Sequence, residues 1–141
     1  MRFIALLYAD PDYYADLSAK DMQEMGEGYS GFQNAFAGHI SLSEGVYPAE
    51  ESKILKTEGG ALVVTDGVAR QGSQDFGGFY LIECRDLDDA VAIVAQNPVL
   101  KYGTVEIREC TGPMLKPADD RYESEEKLKA YMDKVLPRPE S

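Results

Sequence analysis

Residues 65–83 read TDGVARQGSQDFGGFYLIE: a turn, a polar loop and two adjacent glycines that run straight into an apolar strand. Asp66-Gly67 is turn chemistry, since a short carboxylate can cap a nearby amide and glycine tolerates positive φ. Upstream, SKILKTEGGALVVTDG supplies two arms, Ser52–Thr57 and Ala61–Thr65, joined through Gly59-Gly60, which predicts a β-hairpin. Downstream of the strand GFYLIEC, Asp86 and Asp89 bracket a helix start. Leu87, Ala90, Val91 and Val94 form the helix's apolar face, and QNP stops it. GTVEIREC then alternates Val105 and Ile107 against Thr104, Glu106 and Arg108, the pattern of a half-buried strand whose Glu106 and Arg108 share a face.

The N-terminal half repeats this plan. From Phe3 to Tyr8 both alternating faces are apolar, so the strand is covered on both sides. DPDYY breaks the pattern, and Ser18 with Asp21 makes a capping-box helix start. Met22, Met25, Tyr29, Phe32 and Phe36 recur at three and four residues, which places them on one core-facing stripe of a helix ending near Gly38. HISLSEGVYP reads as the next strand. Strand, helix, strand, hairpin, strand, helix, strand is two βαβ-like halves with an inserted hairpin, and it predicts a ferredoxin-like α+β sandwich. Both helices then lie on one face of the sheet. The other face of the first strand needs a second cover, which predicts a homodimer joined across its sheets.

The chain has 141 residues, the length of one domain able to bury its own core. With 25 Asp and Glu against 14 Lys and Arg, its formal charge is −11, which repels a phosphate backbone and an anionic membrane surface alike. Nucleic acid and membrane are therefore not expected as partners. Cys84 and Cys110 form no CxxC and are expected as buried thiols, a usage that fits the cytoplasm. RFIALLYA is too short to span a bilayer. Beyond Met114 the composition turns polar. Leu128, Tyr131, Met132 and Val135 then recur at helical spacing, with Lys134 near the end as the helix dipole prefers. The expected organisation is a body, residues 1–114, and an extension, residues 115–141, carrying an amphipathic helix.

VTDG followed by GGFYLIE, an acid-capped helix, NP and YGTVEIRE, together with LLYAD in the first strand and AGH after the first helix, resembles the YCII-related proteins of the DGPF-motif branch. The likeness runs from Met1 to about Met114. It implies a ferredoxin-like fold of the dimeric α+β barrel type and a small-molecule enzyme or binder. Some relatives accompany extracytoplasmic-function sigma factors. Only Asp66-Gly67 of the motif is kept, with Val68 and Ala69 in place of its Pro and Phe. The His–Asp pair that the resemblance implies for the YCII branch has no His on the first helix here, so it is not carried over.

Candidate chemistry is sparse. His39 is the one side chain whose ordinary pKa lies near neutrality, and Asp66 ends a strand beside the polar loop. A catalytic pair would need the two to meet at one end of the sheet, the carboxylate orienting the imidazole. Tyr8, Tyr80 and Tyr102 could line a ligand cleft with their polar tips, and Gly77-Gly78 lets a backbone pass close to a ligand or to the partner chain. The glycines lack the lysine and helix start of a phosphate loop. No metal-ligand spacing and no dinucleotide fingerprint is present, so no cofactor is expected. Two functions follow: a small-molecule enzyme or binder using acid–base chemistry near Asp66–Phe76, or a non-catalytic interaction module, regulatory and linked to sigma-factor-type transcription control.

Overall fold

The computed structural model describes residues 1–69, 72–112 and 124–135. Its elements are β1 (Arg2–Ala9), a 3-10 turn (Pro11–Asp16), α1 (Ala19–Ala35), β2 (Ile40–Gly45), a short 3-10 segment (Ala49–Glu51), β3 (Lys53–Glu58), β4 (Ala61–Asp66), β5 (Asp75–Glu83), α2 (Leu87–Val94), a third 3-10 turn (Pro98–Lys101), β6 (Gly103–Glu109) and α3 (Glu125–Val135). By contact the chain divides into two compact units, Met1–Cys110 and Thr111–Ser141. The expected boundary at Met114 lies outside the described residues, as do Arg70 and Gln71 of the polar loop. So do the side chains of Tyr131, Lys134 and Val135.

In the first unit, β2-β5-β1-β6 form one sheet, and β1 pairs antiparallel with both β5 and β6. With β3–β4 set aside, this is the β-α-β-β-α-β order of a ferredoxin-like α+β sandwich. β1 shows why. Phe3, Ala5, Leu7 and Ala9 are fully buried, whereas Ile4, Leu6 and Tyr8 on the opposite face are half-buried. Of these, Ala5 and Leu7 join Tyr80 and Ile82 of β5, Phe32 of α1 and Ile93 and Val94 of α2 in one core. Burying such apolar side chains, at roughly 25 cal/mol per Å², is the main term favouring the fold. The other face, with Ile4, Leu6, Phe79, Leu81 and Leu42, carries no helix of this unit.

The capping box forms as expected: Ser18 Oγ accepts from the Asp21 amide at 3.1 Å, and the Asp21 carboxylate accepts from the Ser18 amide at 3.2 Å. Two expectations about helix faces are corrected. Met22 is exposed, and α1 engages the body only from Met25 onward, reaching full burial at Phe32. In α2 the buried residues are Ala90, Ile93 and Val94, while Leu87 and Val91 are half exposed, so the packed stripe is rotated by about one residue from the expected one. The cysteines are only partly buried. Desolvation nevertheless raises both thiols above their ordinary pKa.

The β3–β4 hairpin is a separate two-stranded sheet running from Lys53↔Asp66 to Glu58↔Ala61. Its turn uses Gly59 and Gly60, both at positive φ. Among the described residues no helix is long and apolar enough to cross a membrane.

Candidate functional site

The residues proposed as a catalytic pair do not meet. His39 precedes β2, where its Nδ1 lies 2.9 Å from the carbonyl of Glu83 and its own carbonyl accepts from the Glu83 amide, so it joins β2 to the C-terminal end of β5. Asp66 closes the hairpin in an exposed ion pair with Lys53. Its neighbours Gly67 and Val68 face Tyr8 and Phe76, at the other end of the main sheet. The eight residues of β1 separate the two ends by about 25 Å at the usual rise per residue. The physical reason is topological: β2 is entered beside Glu83, and the hairpin is launched from the opposite end.

What the fold does bring together is tyrosine. A cleft of about 280 Å³ lies between α1 and the sheet, walled by Tyr14, Tyr29 and Tyr80 with Gln33, Ser43, Gly77 and Gly78; Tyr8 borders it on β1, but by alternation with Leu7 and Ala9 its ring belongs to the opposite face, against Phe76. Each element has a local reason to be there. Tyr29 and Gln33 are one helical turn apart on α1. Tyr14 is presented by the 3-10 turn, which starts with Pro11 and is capped by the Asp10 carboxylate accepting from the Asp12 amide at 3.0 Å. Tyr80 is buried on the helix-facing side of β5, with its ring edge-on to Phe32 at 5.3 Å. Tyr8 sits 5.7 Å from Phe76. Gly78 is needed for the adjacent β2 strand: a Cβ there would come within 2.5 Å of the Glu44 carbonyl oxygen. The close approach at Gly78 is thus to β2 of the same chain, while both glycines also border the cleft.

Tyr102 stands outside the cleft and fixes its wall. Its ring stacks on Tyr13 at 4.2 Å and 10°, and meets Tyr14 edge-on at 5.7 Å. Its hydroxyl is hydrogen-bonded to that of Tyr29 and lies 3.6 Å from Met25 Sδ. The 3-10 turn, α1 and the start of β6 are thereby tied at one ring. Burial pushes the Tyr29 phenol up to about 12 and the Tyr102 phenol higher still, because a phenolate would lose its hydration there. At neutral pH both are uncharged. Among the described residues, Lys, Arg and His are absent from the cleft wall. Glu44, its one charged residue among those described, pairs opposite Phe79 rather than Tyr80, which puts its side chain on the other face of the sheet.

Two further hollows share walls with this cleft. One, of about 400 Å³, lies past Ala9, Tyr14 and Gly77 toward Val46 and Pro48. The next, of about 750 Å³, is bounded by Tyr8, Phe76, Ile54 and Val68 and includes described residues of the loop after Asp66. Sequence reasoning missed Tyr14, Tyr29, Gln33 and Ser43. Among the described residues no group of three His, Cys, Asp or Glu side chains is placed to hold a metal ion.

Residues 1–112 match the family model of the YCII-related domain. The chain belongs to the YCII-related family. A solved structure similar to this YCII-related chain is the 5-chloro-2-hydroxyhydroquinone dehydrochlorinase of Burkholderia phenoliruptrix AC1100, in complex with 2,5-dihydroxybenzoquinone. Its TM-score is 0.50 at 11% identity, covering 80% of this chain and 96% of that one. At that identity the likeness is one of fold. No curated protein matches the sequence.

Proposed function

We propose that this YCII-related protein is a small-molecule-binding homodimer whose tyrosine cleft takes an uncharged, single-ring compound bearing hydroxyl or carbonyl groups. The observation that carries this reading is the wall itself: Tyr14, Tyr29 and Tyr80, a serine and a glutamine, with no basic side chain among the described residues and with Tyr29 held protonated. A charged ligand buried there would lose its hydration without gaining a counter-charge. Phenol, hydroxyl and amide groups instead offer hydrogen bonds to a polar ring substituent, and the aromatic rings offer apolar area. A volume of about 280 Å³ suits a small ligand. The similar fold of an enzyme solved with a ring-shaped quinone agrees with a ligand of this size.

Binding is favoured over acid–base turnover because His39 and Asp66 are engaged elsewhere, at opposite ends of the sheet. The dimer is supported by the apolar second face of the sheet, on which the charges are largely paired: Arg2 with Glu83 at 3.5 Å, and Arg108 with Glu106 at 3.0 Å.

The test is calorimetric titration with a neutral dihydroxybenzene against benzoate, in the wild type and in Tyr14→Ala. The diphenol is expected to bind the wild type, benzoate to bind at least about tenfold more weakly, and the variant to lose the diphenol. Equal binding of benzoate, or diphenol binding unchanged in Tyr14→Ala, would overturn the assignment.

A further inference from the structure

The β3–β4 hairpin is an arm whose apolar face no strand or helix among the described residues covers, although Leu55 borders a hollow shared with Tyr8 and Phe76. Across the register Lys53↔Asp66, Leu55↔Val64 and Thr57↔Leu62, directly opposed residues share a face. Leu55, Leu62 and Val64 therefore stand together, each more than half exposed at 62%, 66% and 53%. Neither strand makes more than isolated contacts with any other element. A two-stranded hairpin alone is marginal in water, and three large exposed side chains on one face are what a contact surface looks like before it is covered.

Charge narrows what can cover it. From Asp10 to Glu27, the 3-10 turn and the first half of α1 carry six acids against Lys20, and Asp86, Asp88 and Asp89 crowd the start of α2 beside Arg85. The acidity of the first unit is thus concentrated on its helical elements. The hairpin, by contrast, is neutral: Lys53 and Lys56 balance Glu58 and Asp66, and the two lysines pair with these acids. The uncovered sheet face is close to neutral as well, with Glu44 as the acid outside its two ion pairs. A strongly acidic second copy is repelled by the helical surface and can approach these two faces, which are also the apolar ones. A basic partner would be drawn to the helices instead.

We infer that the hairpin is a clasp that seats its Leu55, Leu62 and Val64 face on a second copy of this chain, reciprocally about a two-fold axis. This inference rests on the homodimer reading above and adds to the sheet contact a second, separable patch. An isologous contact doubles each patch, so a modest arm surface contributes twice to one interface.

Sedimentation velocity across a dilution series tests it with three chains: the wild type, the arm variant Leu55→Thr, Leu62→Thr and Val64→Thr, and the sheet-face variant Leu6→Asp. Threonine keeps the arm's strand preference while removing apolar area. The wild type should sediment as a dimer and the sheet-face variant as a monomer. The arm variant should dissociate at a concentration at least about tenfold higher than the wild type. An arm variant with wild-type dimer affinity overturns the clasp and leaves the sheet-to-sheet dimer standing, whereas a monomeric wild type removes both. Amide hydrogen exchange in β3 and β4 of the wild type covers the case in which the arm variant fails to fold: protection that grows with dimer fraction supports the clasp, and protection independent of concentration refutes it. Neither result depends on the ligand titration.

Discussion

Tyr102 does its work on the cleft from outside it. It holds Tyr29 by a hydroxyl and Tyr14 by its ring edge, so two of the wall tyrosines depend on a residue outside the cleft. The same burial has a consequence for stability against pH. The unfolded chain releases a tyrosine proton near the ordinary 10.0, whereas the folded Tyr29 releases it near 12, so above pH 10 the folded state binds more protons than the unfolded state. Stability from this group is therefore complete below pH 10 and is lost as pH rises through the folded value. Urea midpoints stepped upward from pH 9 should fall less steeply in Tyr29→Phe than in the wild type; identical slopes would mean that Tyr29 titrates normally. None of this was visible in residue spacing. Tyr29 recurs with Phe32 and Phe36, and a helical period says which face a side chain shares but not that its hydroxyl ends beside a cleft. Tyr14 sits in DPDYY, where a proline-initiated 3-10 turn leaves no period at all. In a strand, by contrast, alternation fixes direction, and it separates Tyr80, on the helix side with Ala5, from Tyr8, on the side of Ile4 and Leu6.

At the scale of elements, the two adjacent glycines of β5 do unlike jobs. A methyl group at Gly78 would press into the Glu44 backbone at 2.5 Å, and strand backbone cannot move aside without shifting β2. At Gly77 the nearest atom, the Leu7 carbonyl oxygen, is 4.0 Å away, an ordinary contact. Gly78→Ala should therefore lower the unfolding free energy by about 1–3 kcal/mol and Gly77→Ala by well under half of that. Denaturant titration of the two variants decides it, and equal losses would show that the β2–β5 spacing is not set by the missing side chain. The strands and helix starts could be read from sequence because each has a local cause, such as the double-faced apolar run of β1 or the Ser18–Asp21 box. The rotation of α2 could not: Leu87, Ala90, Val91 and Val94 satisfy helical spacing as well as Ala90, Ile93 and Val94 do, and only the neighbouring sheet chooses between them. The hairpin, too, is legible as a hairpin from its paired arms and Gly59-Gly60. Its standing apart from the main sheet depends on contacts the chain does not make, and these leave no trace in a pattern of residues.

At the scale of the molecule, every buried apolar side chain among the described residues falls between Phe3 and Val99. The four strands of the main sheet end at Glu109, inside the first compact unit. A body of that length can bury enough surface to fold without help, and the stretch beyond it adds little charge. Seven acids and six bases lie beyond Gly112, so residues 1–112 keep ten of the eleven net negative charges. The body alone should thus retain both the core and the electrostatic asymmetry that directs self-association. A chain ending at Gly112 is expected to melt in a single cooperative transition and to form the same dimer as the full chain. Circular dichroism with sedimentation checks both at once. Loss of cooperativity would place part of the folding core in the C-terminal unit, whereas a cooperative monomer would assign that unit a share of the dimer contact that the clasp and the open sheet face are here held to supply.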